Sequence, residues 1–114
     1  MKDDKLYLVH IGECISRIRQ YVEDGREAFL TSTLIQDAVI RNLQTLAESS
    51  RRISDSVKTQ HSEIDWREIS AFRNILVHDY FGVNLARVWD IVEEDLPPLR
   101  DQIEAMLRGL GETP

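Results

Sequence analysis

The chain is short of the residues that staple or interrupt a fold. It has one cysteine, Cys14, in 114 residues, so no disulfide can form within it. Cys14 lies among apolar positions and reads as a small core residue rather than a nucleophile, and nothing calls for an oxidising compartment. Three prolines and five glycines leave long stretches free to run as helix. No apolar run approaches the ~20 residues a membrane helix needs, and no leader pattern opens the chain. The expectation is a cytoplasmic protein without a membrane segment. No segment alternates apolar and polar residues as a half-buried strand does, and there are no repeats or low-complexity tracts. Basic charge is also scarce: Lys and Arg number 14 against 20 Asp and Glu, a formal net charge of -6. That balance weighs against indiscriminate nucleic-acid binding, which rests on neutralising phosphates.

What remains is helical pattern. The length fits one domain with its own core, expected over residues 1–110 with a frayed tail at 111–114. Leu8, Ile11, Ile15, Ile18 and Val22 recur at helical spacing, and Asp24-Gly25 ends that helix. Phe29 and the hydroxyls of Thr31 to Thr33 offer a staple and caps for a second helix. Its stripe runs Ile35, Val39, Leu43, Leu46, Ser50, Ile53, Val57, which predicts one long helix followed by a polar loop at 58–62. Asp65 with Glu68 forms a capping-box variant for a third helix through Ile69, Phe72 and Leu76, stopped near Gly82. Asn84 caps a fourth helix, with Leu85, Val88, Trp89 and Val92 inward. Pro97-Pro98 then breaks it, and Leu96, Leu99, Ile103, Met106 and Leu110 form the last stripe. The expected architecture is all-α: an up-and-down four-helix bundle with its last helix broken at the Pro-Pro pair. Trp66, Phe72, Trp89 and Met106 read as core or oligomer contacts.

The chemistry concentrates in Phe72-Arg73-Asn74-Ile75-Leu76-Val77-His78-Asp79-Tyr80-Phe81. His78 is the side chain able to exchange a proton near neutral pH. Arg73 carries a permanent charge suited to an oxyanion. Together they suit phosphoryl-ester chemistry without a metal, and no cofactor is called for. Asn74 and His78 are four apart and share a helix face. Arg73 and His78 are five apart, about 140° around a regular helix. Either the helix loosens near His78, as Asp79 to Gly82 suggest, or a second copy supplies the missing group across a two-fold axis. The second is preferred, which makes a homodimer a condition of activity. On spacing alone a lone helix-end histidine is more often structural than catalytic. His10 and His61 have no comparable company and read as structural. Acids cluster toward the ends, while Arg41, Arg51, Arg52, Lys58, Arg67, Arg73 and Arg87 occupy the middle, so a local basic face is available.

Arg73-x4-His78-x-Tyr80 resembles the RX4HXY signature of HepT-type proteins, within the HEPN (higher eukaryotes and prokaryotes nucleotide-binding) superfamily. The likeness extends over Trp66-Arg67-Glu68-Ile69, Tyr80-Phe81-Gly82-Val83, Val88-Trp89 and Asp95-Leu96-Pro97. Arg41-Asn42-Leu43-Gln44 with Glu48 is similar to the family's second helix. The resemblance implies the toxin of a toxin–antitoxin pair: a metal-independent ribonuclease, with tRNA the expected substrate class, whose two motifs line one dimer cleft. Arg73, His78 and Asn74 would be catalytic, and Arg41, Arg67 and Arg87 would contact RNA. The implied partner is a nucleotidyltransferase antitoxin that attaches AMP to Tyr80, in a complex that can exceed a dimer. The alternative is a non-catalytic nucleotide- or protein-binding module that docks such a nucleotidyltransferase.

Overall fold

The structure, a computed structural model, describes the backbone of residues 2–78 and 84–111 and the side chains of residues 3–73 and 84–110. Among these every regular element is helical. Helix α1 (Lys2–Tyr21) buries Leu8, Ile11, Cys14, Ile15 and Ile18 along the stripe its spacing predicts. The chain then turns through Gly25, whose φ of 96° and ψ of -175° lie in a region that is essentially glycine's alone. A Cβ there would meet nothing within 4 Å, so the backbone angle rather than space selects glycine.

Helix α2 (Arg26–Thr31) is a short element absent from the sequence reading. It exists to bury Phe29, whose ring centroid lies 5.5 Å from that of Trp89. Ser32 caps α3 (Thr33–Arg51), its Oγ accepting from the Ile35 N–H at 3.2 Å. Helix α3 lies against α1 on one side and α5 (Trp66–His78) on the other, so it is the spine of the bundle. Its buried face carries Val39, Leu43, Leu46 and Ala47.

The long second helix expected from the stripe is divided. After Arg51 the chain turns, and a separate helix α4 (Asp55–Gln60) occupies part of the expected polar loop. Ser54 causes the division. Its Oγ accepts from the Val57 N–H at 3.3 Å, while its own N–H and hydroxyl both donate to the Asp4 carboxylate at 2.8 Å. Asp4 is 3% exposed, a buried charge that those two donors satisfy.

Asp65 caps α5 through the Glu68 N–H at 3.0 Å, and Asn84 caps α6 (Leu85–Asp90) through the Arg87 N–H at 3.1 Å, both as expected. The expected break at the prolines does not occur. From Leu85 the helical backbone continues through a π-helical segment, Ile91–Asp95, directly into α7 (Leu96–Gly111). The Leu96 N–H bonds the Ile91 carbonyl, five residues back. An α-helical proline lacks the donor for the carbonyl four residues earlier and collides with it. The wider winding ahead of Pro97 and Pro98 accommodates both rings without a break, and Ile91, Val92, Leu96 and Leu99 stay in the core. Helix α7 packs on α1. Its last predicted core position, Leu110, is 39% exposed. No helix among the described residues is long and apolar enough to cross a membrane.

Candidate functional site

Helix α5 is anchored by Ile69 and Phe72, both buried, three positions apart on one face. That anchoring turns Arg73 outward, toward α3. There a polar groove of about 310 Å³ is lined by Arg41, Gln44, Thr45, Glu48 and Arg73. The Arg73 Nε lies 3.8 Å from Glu48 Oε2, and the Arg51 Nη1 lies 3.9 Å from the same oxygen. The Arg73 side chain is 48% exposed. The groove therefore presents two guanidiniums, Arg41 and Arg73, with a carboxylate between α3 and α5.

Arg41 and Arg73, singled out separately in the sequence, thus share one groove. Arg67 and Arg87 are exposed but do not line it. Arg67 is six positions before Arg73, which is about 240° around the helix and on another face. Helix α5 remains α-helical through His78, so within one chain the angular offset between Arg73 and His78 stands. The side chains of Asn74 and His78 lie outside the described residues, as does Tyr80. Gln44, Thr45 and Glu48 join Arg73 only in the fold. Their signal in the sequence is that 41, 44, 45 and 48 form a polar stripe at helical spacing, opposite the apolar stripe of Val39, Leu43 and Leu46.

A second groove, of about 220 Å³, separates α5 from the π segment and α7. Asp65, Glu68, Glu94 and Asp95 ring it over a floor of Ile69 and Phe72. The groove wall partly desolvates the otherwise exposed Glu68 carboxyl, the adjoining Asp95 repels its charge and can accept its proton in a hydrogen bond, and Asp65 adds a weaker repulsion. These causes hold it above the ordinary carboxylate range, against an opposing pull from Arg87. Asp95 Oδ2 is buried without a hydrogen-bond partner among the described residues. Burial likewise raises the Cys14 thiol, which makes it a core group rather than a thiolate nucleophile. His61 Nδ1 lies 3.4 Å from Glu63 Oε1, and His10 lines a groove with Glu13, Cys14, Arg17 and Thr45, the last of which also lines the Arg73 groove. Among the described residues no three His, Cys, Asp or Glu side chains are placed to hold a metal ion.

Comparison with known proteins gives this geometry a family. A 38% identical relative from Thermococcus cleftensis, "Probable ribonuclease HepT", aligns over 92% of this chain and 96% of its own. A 37% identical relative from Methanocaldococcus jannaschii, "Gamma-glutamylcyclotransferase and putative RNase", aligns over 96% of this chain, which spans 50% of that longer protein. The "mRNA nuclease HepT" of Shewanella oneidensis is 28% identical over 84% of this chain. No solved structure matches. The family model described as "Ribonuclease HepT-like" matches residues 11–106, and the chain belongs to that ribonuclease family.

Proposed function

We propose that this protein is the toxin of a toxin–antitoxin pair and acts as an endoribonuclease that needs no metal. The observation that carries the reading is Arg73 of the family motif, held half-open in a groove it shares with Arg41. The RNA 2′-hydroxyl is an internal nucleophile beside the scissile phosphate. His78 of one copy would take its proton, and His78 of a second copy would give a proton to the leaving 5′-oxygen. Arg73 would stabilise charge on the non-bridging oxygens, and Asn74 would orient His78 or donate to the phosphate. The regular winding of α5 through His78 supports assembly from two copies, because one straight helix does not aim Arg73 and His78 at one atom. Arg67 and Arg87, off the groove, would contact RNA further along its path.

Regulation would fall on Tyr80. An AMP attached there by a nucleotidyltransferase antitoxin brings bulk and a phosphate charge beside the cleft, which opposes RNA binding.

The test is cleavage of purified RNA in the presence of chelator. His78→Ala and Arg73→Ala should each lower turnover by roughly 10²–10⁴-fold while the protein stays helical. Wild-type turnover in His78→Ala would remove the assignment. The substrate class is read in the same assay: tRNA is the expected target, whereas the name of the Shewanella relative favours mRNA. Nucleotide binding without any cleavage would instead favour the docking-module reading.

A further inference from the structure

Glu48 sits where a phosphate-binding groove should not hold an acid. Resting on the assignment of Arg73 to the reaction, we propose that Glu48 is a positioning residue that sets the orientation of the Arg73 guanidinium. An arginine has two donor edges: the side edge through Nε, and the end edge through the two Nη groups. Glu48 Oε2 lies 3.8 Å from the Nε. Glu48 thus approaches the side edge, which leaves the end edge for a phosphate held through two parallel hydrogen bonds. Arg51 approaches the same Glu48 oxygen at 3.9 Å, so Glu48 lies between two guanidiniums. The pair Glu48–Arg73 sets a long side chain of α5 against the helix that forms the spine of the bundle.

Stability does not explain the carboxylate. Both partners of the Glu48–Arg73 pair are nearly half exposed, at 46% and 48%, and such pairs contribute little to folding. For RNA affinity the carboxylate is a cost, because it repels a phosphate. Orientation of Arg73 is the remaining gain. That division gives a kinetic signature. Glu48→Gln keeps the shape, removes the repulsion and releases the guanidinium. It should lower kcat on the order of ten- to a hundred-fold, with KM unchanged or lower and the thermal midpoint within a degree or two.

The experiment measures kcat, KM and the thermal midpoint on an RNA substrate for Glu48→Gln, Glu48→Asp, Arg73→Ala, Arg73→Lys and the Glu48→Gln/Arg73→Lys pair. Glu48→Asp should recover part of the lost kcat, since it keeps the charge one methylene short. In the Arg73→Lys background, where the Nε edge is gone, Glu48→Gln should cost nothing further. Wild-type kcat in Glu48→Gln beside an inactive Arg73→Ala overturns the role of Glu48 and leaves the site intact. A fall in kcat that tracks a fall in the thermal midpoint, no recovery with Asp, or additive losses in the pair would also overturn it. Full activity in Arg73→Ala removes the site assignment itself.

Discussion

Glu68 occupies the third position of α5, where the helix dipole and free N–H groups ordinarily favour a carboxylate. Its neighbours reverse that preference. Asp65 caps the same turn, and Asp95 reaches in from the π segment with one oxygen buried and unpaired. A protonated Glu68 can donate to the Asp95 carboxylate, which a charged one cannot. The folded state thus binds this proton more tightly than the unfolded chain does. The resulting stabilisation is complete below the ordinary glutamate value of about 4.3 and is lost as pH rises through the raised folded value. Glu68→Gln, which mimics the protonated acid and keeps a donor, should raise the thermal midpoint at pH 7.5 and leave it unchanged near pH 4. Melting curves at the two pH values check this; equal shifts at both would assign the effect to something other than the proton.

Helical elements here were readable where their signals are local. Ser32, Asp65 and Asn84 cap as their types and positions predict, because a cap needs only a short side chain and an N–H two or three residues on. The division between α3 and α4 was not readable. Ile53 and Val57 continue the apolar stripe across it, and the group that stabilises the turn is Asp4, fifty positions away in sequence. The π segment escaped for a related reason. Two prolines mark where α-helical winding fails, but whether the chain breaks or widens is decided by burial of Ile91, Val92 and Leu96. At the site, Arg73 was legible from its motif and Arg41 from the charge pattern. Glu48 as their common neighbour required knowing that α3 and α5 lie side by side. The Asp4 clamp makes the tertiary term measurable. Asp4→Ala leaves the Ser54 N–H and hydroxyl without their acceptor and frees the start of α4 from α1. The expected cost is about 2–3 kcal/mol, or roughly 5–15 °C in the thermal midpoint for a domain of this size. A change within a degree or two would mean that water replaces the carboxylate without loss.

The whole molecule carries a formal charge of -6, yet it belongs to a ribonuclease family, so local arrangement has to outweigh global repulsion. One groove with Arg41 and Arg73 is a small counterweight to that field. Two copies facing each other would place two such grooves against one RNA strand, doubling the local cations while bringing a second His78 to the phosphate. This arrangement makes activity a property of the pair. Wild-type protein mixed with His78→Ala and allowed to exchange subunits then tests it without any structural probe. If one cleft needs both histidines, only dimers of two wild-type copies cut RNA. Turnover at an equal mixture falls to about one quarter of that of the same total of wild-type protein, following the square of the wild-type fraction. If each chain acts alone, turnover falls to about one half, in proportion to that fraction. Subunit exchange is verified by co-purifying a tagged mutant with untagged wild type, which keeps a linear result from being mistaken for failed mixing. A linear dependence with exchange demonstrated would overturn the need for both histidines in one cleft: each site would then use a single His78, and the roughly 140° that a regular α5 puts between it and its own Arg73 would favour the Arg73 of the other copy.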